Sequence, residues 1–409
     1  MNTLDSTFSP SVRRASLPAT ARILFSLLER MDFGALTLTT PDGITRRFGP
    51  GGPVGALDGE VDLTLRDWKL CGDVLTGGDV AFAEAFMDDR WQTSDLTALL
   101  TLIALNQRAL EVAFYGRWWR QLVFRAKHLL RSNTKRRARR NVVAHYDLGN
   151  DFYGLWLDPT MSYSSALFDG DLSRPLSAAQ DAKYERILHQ LAPDKGARLL
   201  EIGCGWGGFA ECAARSGCHV TAVSLSDAQT AYARERVTAA GLGGVDFSIT
   251  DYRDVAGKFD GVASIEMFEA VGERYWPAYF RSLRDALKPG ARACVQTITI
   301  ANDRFEQYRQ TSDFLQQYIF PGGMLASPEM FEMHVEAAGL EIDDVHRFGQ
   351  DYAETLKRWL AAFDANVDKV RAQGFDHRFI RCWRFYLAYC AAGFASETTD
   401  VAQYTLVVD

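Results

Sequence analysis

The residues best suited to do chemistry are Glu201-Ile202-Gly203-Cys204-Gly205-Trp206-Gly207-Gly208, which close an apolar run from Arg198 and lead directly into a helical pattern from Phe209. Glycines in that position let the backbone turn tightly and approach a ligand closely at the open end of a parallel strand. A dinucleotide enzyme would place an acid roughly 20 residues further on to hold a ribose, but Ser224, Leu225 and Ser226 stand there instead. One acid just before the glycines and another, Asp251, after the third strand suit a cationic nucleoside such as S-adenosylmethionine; a nicotinamide or flavin site is the alternative. Seven cysteines without a C-x-x-C pair argue against both a disulfide framework and a structural zinc, so no metal is expected.

The elements around this loop alternate. Short β-rich runs at Arg198 to Ile202, His219 to Ser224, Val245 to Thr250, Phe259 to Ile265 and Ala291 to Ile300 are separated by helical stretches. That alternation predicts crossover connections and a mostly parallel, doubly wound sheet with helices on both faces. The N-terminal part differs: a helix over Ala21 to Met31, strands at Leu36 to Thr40 and Val61 to Leu65, a Gly/Pro turn region from Gly49 to Gly59, and helical patterning from Val80 through Ala113. Two domains are expected for 409 residues: a smaller α+β accessory, lipid-associating domain over 1–140 and a catalytic domain over 141–409.

Charge sharpens the boundary. The net charge is −7, yet residues 1–140 carry 20 Lys and Arg against 15 Asp and Glu, and the remainder 25 against 37. Between Arg117 and Arg140 stand ten basic residues and no acidic one, interleaved with Trp118, Trp119, Phe124, Leu129 and Leu130. A solvated helical face and nucleic-acid binding are alternatives, the latter disfavoured by the acidic total and the lack of a reader motif. Attachment to anionic phospholipid fits better, since each Lys or Arg near such a surface contributes about 1 kcal/mol and tryptophans favour the interface. The apolar stretches are too short to span a bilayer, and the first residues lack the zones of a secretory signal. The expected place is the cytoplasm, at the inner face of the membrane.

From His145 onward the chain resembles the cyclopropane-fatty-acid synthases, which include bacterial phospholipid enzymes, mycobacterial mycolic-acid relatives and plant members. The resemblance rests on His145-Tyr146-Asp147-Leu148-Gly149-Asn150-Asp151-Phe152, Leu157-Asp158-Pro159 with Tyr163-Ser164, the glycine loop with Trp206, Asp251-Tyr252-Arg253-Asp254, Met267-Phe268-Glu269 with Val271-Gly272, and Tyr318-Ile319-Phe320-Pro321-Gly322. It implies a seven-stranded, Rossmann-like methyltransferase fold and methyl transfer from S-adenosylmethionine to the cis double bond of a phospholipid acyl chain. The alkene attacks the sulfonium methyl, and loss of a proton from the new methyl closes a cyclopropane. The N-terminal residues resemble the accessory domain of the longer bacterial members only loosely, and dimerisation through it is implied by that resemblance alone.

Carried over position by position, the resemblance implies cofactor contacts from Tyr163, Ser164, Gly203, Gly205, Leu225, Gln229, Tyr252 and Arg253. By pattern alone Leu225 reads as strand-end core and Gln229 as a solvated first-turn residue. In the family a bound bicarbonate is the base, held by a Cys, a Glu, a His, a Tyr and a backbone amide. Here Glu269, Tyr352 and the amide of Ile298 match, whereas Ser165 and Gln296 replace the Cys and the His. A hydroxyl and a carboxamide still donate hydrogen bonds but offer no positive charge. By pattern, Glu269 is equally a helix-start carboxylate, and Tyr352 a partly buried loop aromatic. Relatives with the Glu266 to Gly272 pattern also end in a methylene or methyl branch, so that product stays open beside the ring, as does a non-catalytic lipid- or cofactor-binding protein. C-terminal aromatics, among them Phe305, Tyr308, Phe314, Phe320, Trp359, Phe385 and Tyr386, are expected to supply either a lipid-tail tunnel or ordinary core.

Overall fold

The computed structural model describes residues 17–53, 59–110 and 148–408. The basic stretch from Arg117 to Arg140, the boundary near 140, and the leading His145-Tyr146-Asp147 of the matching segment lie outside the described residues.

The larger sheet has seven strands, β5 (Arg198–Ile202), β6 (His219–Ser224), β7 (Val245–Ile249), β8 (Phe259–Ile265), β9 (Leu287–Ile300), β10 (Glu341–Arg347) and β11 (Thr399–Val407), in the order β10-β11-β9-β8-β5-β6-β7. β5 pairs in parallel with both β6 and β8, and the chain runs outward from it in the two opposite directions. Only β11 is reversed, antiparallel to β9 and β10. Parallel strands covered on both faces must be apolar throughout, and successive side chains divide between the layers. Leu199, Ala263 and Cys294 pack with Tyr184 and Ile187 of the helix Leu176–Leu191, and with Phe209 and Ala233. Their neighbours Leu200, Val262 and Val295 face the opposite core with Trp276, Phe280 and Phe331.

A smaller sheet, β2-β1-β3-β4, is built from β1 (Ala35–Thr39), β2 (Thr45–Phe48), β3 (Glu60–Leu65) and the short β4 (Trp91–Gln92). With it go helices α1 (Ala19–Leu28), α2 (Lys69–Met87) and α3 (Leu96–Leu105). The helical pattern expected over Val80 to Ala113 is therefore two helices with β4 between them, and α2 begins earlier, at Lys69. Gly78, at φ 64° and ψ −144°, breaks α2 in the middle, a conformation open to glycine at little cost.

The remaining helices used below are α4 (Leu176–Leu191), α5 (Gly208–Arg215), α6 (Asp227–Ala239), α7 (Trp276–Ala286), α8 (Pro328–Ala337), α9 (Gly349–Ala365) and α10 (His377–Ala395). α10 is capped by Asp376, whose carboxylate accepts from Phe379 N at 2.7 Å. One face of α10 packs on α9 and the other on α2 and α3. As a result a single apolar cluster runs from Phe25 and Trp91 of the small sheet region through Phe385 to Trp359 and Phe152.

Candidate active site

The reversal of strand order at β5 leaves a crevice beyond the carboxyl ends of the strands, where open α/β sheets bind ligands. The glycine loop fills its rim. Gly203 N and Cys204 N both donate to Val223 O, at 2.9 and 3.1 Å, which pins the loop to β6. Gly203 and Gly205 have φ of 83° and 49°. A Cβ on Gly205 would meet nothing within 4 Å, so this backbone lies open to the crevice. The loop ends as α5 begins, and Trp206 anchors it by donating from Nε1 to Asn150 Oδ1 at 2.8 Å.

A cavity of about 520 Å³ extends from this loop. Tyr163, Ser164, Gly203, Gly205, Leu225, Gln229, Tyr252 and Arg253 all line it, as do Glu269, Ile298 and Tyr352. Gln229, expected in solvent by pattern, is buried in the first turn of α6 behind the Ser226 cap. Leu225 is half-buried on the cavity wall rather than in the core. Tyr163 is held sideways: its hydroxyl meets that of Tyr386 at 2.6 Å and its ring packs on Tyr153, Trp156 and Trp359.

The acids divide by partner. Glu201 is buried, with Oε2 lacking a hydrogen-bond partner among the described residues, and desolvation pushes its carboxyl up to about 8. A buried acceptor beside an open glycine backbone fits a cationic cofactor, which would supply the missing charge. Asp251 is different. Its carboxylate accepts both Nε and Nη2 of Arg253, at 2.7 and 2.6 Å, so it serves the cofactor wall by fixing Arg253 rather than as a bare charge.

Deeper in the cavity the two carboxylates of the Glu266 to Gly272 segment take separate donors. Glu269, in a short 3-10 turn after β8, accepts Ile298 N at 2.5 Å and Thr297 Oγ1 at 3.0 Å through Oε1. Its Oε2 has no partner among the described residues. Burial, with Glu266 nearby, pushes Glu269 up to about 8. Glu266 collects the other donors: Ser165 N at 2.8 Å and Gln296 Nε2 at 2.8 Å on Oε1, and the Tyr352 hydroxyl at 2.6 Å on Oε2. Its backbone sits at φ 47°, strained for a residue with a side chain.

This arrangement corrects two expectations. Tyr352 is not a loop aromatic but lies in the first turn of α9, with its ring stacked on Phe394 at 4.4 Å. Ser165 and Gln296 are fully buried behind the cavity wall, and the Ser165 hydroxyl donates to Ala166 O. Of the donors ascribed to a bicarbonate, Gln296 and the Tyr352 hydroxyl are thus engaged by Glu266, the Ile298 amide by Glu269 and the Ser165 hydroxyl by Ala166 O, a set that does not fit a separate anion. Glu266, which in the sequence is one acid of a matching pattern, is the carboxylate on which these donors converge. Glu269 lies in the first turn of the three-residue 3-10 helix Phe268–Ala270, so its helix-start position stands beside its bonds to Ile298 and Thr297.

Beyond the acids the wall turns apolar. Tyr308, Phe320, Phe385 and Tyr386 line the cavity, whereas Phe305, Phe314 and Trp359 are core. Leu100, Ile103 and Ala104 of α3 and Phe82 of α2 close its far side.

The profile of the family described as mycolic acid cyclopropane synthetase matches residues 133–404. The chain belongs to that family. Within it, a tuberculostearic acid methyltransferase of Mycobacterium tuberculosis is 40% identical over 338 residues, 81% of this chain and 79% of that protein. The cyclopropane-fatty-acyl-phospholipid synthase of Escherichia coli K12 is 32% identical over 346 residues, 84% of this chain and 86% of that one. Among solved structures, a mycolic acid cyclopropane synthase complexed with SAH and CTAB superposes with a TM-score of 0.61 at 30% identity, covering 66% of this chain and 97% of that one. The family member described here is accordingly an S-adenosylmethionine-dependent methyltransferase with the seven-stranded fold expected from the sequence, and its family acts on lipid unsaturations.

Proposed function

We propose that this methyltransferase alkylates the cis double bond of an acyl chain carried by a membrane phospholipid, and that the resulting cation loses its proton to a carboxylate of the protein itself. The observation that carries this reading is Glu266, half-buried on the wall of a cavity that the glycine loop and apolar side chains share, and oriented by Ser165, Gln296 and Tyr352. S-adenosylmethionine supplies an electrophilic methyl on a sulfonium. Tyr163, Ser164, Gly203, Gly205, Leu225, Gln229, Tyr252 and Arg253 bind it, and Glu201 faces its positive charge. In a site closed to water, the fixed carboxylates of Glu266 and Glu269 stabilise the lipid cation where it forms. Glu266, ionised, takes the proton. Ile298 acts through its amide, which holds Glu269 in place.

Ring closure is the first product reading. A methylene branch is the second, and it is favoured by two observations: a base fixed by three donors, and a relative named for tuberculostearic acid at 40% identity. Both readings share the same methyl transfer and differ in where the cation stands when the proton leaves. A non-catalytic lipid-binding role would leave the strained, fully partnered Glu266 without a purpose. The basic, tryptophan-bearing stretch from Arg117 to Arg140 supports a phospholipid surface as the source of the substrate.

Incubation with methyl-labelled cofactor and cis-monounsaturated phospholipid vesicles, followed by mass spectrometry of the acyl chains, tests the proposal. One added CH2 without remaining unsaturation means a ring, and one added CH2 with an alkene retained means a branch. No label in the lipid would sink the reading.

A further inference from the structure

Lys183 of α4 is a lysine with no exposed surface, yet it makes no ion pair with a carboxylate among the described residues. Burying an ammonium is costly unless the charge is hydrogen-bonded and used. Its Nζ donates to Ser164 Oγ and Gln180 Oε1, both at 2.5 Å, and lies 4.4 Å from the centre of the Tyr184 ring. Gln180 closes the circuit by donating from Nε2 to Ser164 O at 3.0 Å. The lysine thus holds Ser164 from behind, one residue before the Ser165 amide that binds Glu266. A second path reaches the same carboxylate: Gln403 lies against Lys183 O at 3.4 Å and donates to Gln296 Oε1 at 3.0 Å, and Gln296 donates to Glu266.

We propose that Lys183 is a positioning residue for methyl transfer, whose buried ammonium favours the carboxylate form of Glu266 and fixes the Ser164-Ser165 segment against it. This rests on the reading of Glu266 as the proton acceptor. Neither Ser165 nor Gln296 brings a positive charge to the site, and the Lys183 ammonium supplies one from the layer beneath. The charges facing the pair are few. Lys183 is influenced by Glu266, by Asp158 of the loop before Tyr163 and by Asp181 on its own helix, while desolvation pulls it down to about 7. Glu266 is raised by burial and lowered by the Tyr352 hydroxyl, the Lys183 charge, the Ser165 amide and Gln296. Glu269 shares the cavity with Glu266 and is itself raised by it. Each charge opposes the other's cost of burial, so the two groups titrate as a pair.

Two measurements test the assignment. In the first, pH–rate profiles of wild type, Lys183→Met and Lys183→Arg are compared from about pH 6 to about pH 9 on cis-unsaturated phospholipid vesicles. The methionine variant should lose at least about tenfold in kcat near neutrality, with its acid limb about one unit higher and activity partly regained as pH rises. The arginine variant should keep the wild-type acid limb. A loss of the same factor at every pH marks a merely structural lysine and overturns the proposal. The second measurement needs no catalysis and no lysine variant to fold. In the full chain labelled with [ε-13C]lysine, Lys183 should titrate near neutrality, and Glu266→Gln should move that titration down by about one unit. An unmoved titration overturns the coupling even if the enzyme is active. A moved titration in a chain without lipid methylation upholds the coupling and overturns only the proposed substrate.

Discussion

Glu201 and Glu269 show how burial leads in setting the behaviour of a side chain. Each is raised to about 8, with desolvation as the leading cause, while in the unfolded chain a glutamate titrates near 4.3. Between those values the folded state holds protons that the unfolded state has released, so stability falls as pH rises through this window. The ligand-free protein should accordingly lose thermal stability from about pH 5 to about pH 8. Glu201→Gln should flatten that slope and weaken cofactor binding, because an amide keeps the shape and never ionises. Scanning calorimetry and cofactor titration check this; a slope unchanged in Glu201→Gln would show that the carboxyl is not neutral in the fold. Glu266 is raised by burial as well, with the Tyr352 hydroxyl, Lys183, the Ser165 amide and Gln296 opposing that cost. A residue pattern could not distinguish it from Glu269, three positions later. Which of two neighbouring acids receives the hydroxyl of a residue 86 positions away is decided by the fold.

Elements differ in how much of them is written locally. β5, β6 and β8 are mostly buried and pair in parallel on both sides, so the apolar runs in the sequence mark them closely. The edge strand β10 alternates exposed and half-buried residues and carries three acids, and β11 pairs with strands that are distant in sequence; neither stands out as a local signal. Tyr352 was legible as an aromatic but not as helical, because Gly349 opens α9 without a side-chain cap. The glycine loop is the best-marked element, and two of its residues do separable work. Gly207, at φ 84°, would bring a Cβ within 2.8 Å of the Ala233 Cβ on α6. Gly205 would bring one only into the crevice. Gly207→Ala should therefore cost about 1–3 kcal/mol of stability through strain and overpacking. Gly205→Ala should retain most of the fold's stability and lose at least about tenfold, or ~1.4 kcal/mol, in cofactor affinity. Denaturant unfolding and cofactor titration on both variants separate the two effects. Equal affinity loss in the two would mean that the loop acts as a single rigid unit.

At the scale of the molecule, the cavity is the feature that the sequence could not display, because its walls come from parts of the chain that are far apart. Cofactor residues end β5 and β6, the carboxylates follow β8, Tyr352 comes from α9, and the far wall is Leu100, Ile103 and Ala104 of α3. α3 is held there by packing on α10, which also packs on α9 and α2. Helices α2 and α3, which pack with the small N-terminal sheet, thus do more than accompany the larger sheet: they supply part of the cavity wall. Enlarging a side chain on that wall removes room for the lipid without touching the cofactor loop on the opposite side. Ala104→Phe adds a ring to a half-buried position on α3, a helix whose Asp95 cap and buried Leu99 and Leu102 remain in place. It should lower kcat/KM for phospholipid by about tenfold, equivalent to ~1.4 kcal/mol, and shift preference toward shorter acyl chains. Cofactor affinity should stay within about twofold, a difference below ~0.5 kcal/mol. Competition between vesicles of short-chain and long-chain unsaturated phospholipid gives the readout. Equal loss on both chain lengths would place the lipid elsewhere, whereas a selective loss on the longer chain makes the N-terminal module part of the substrate site.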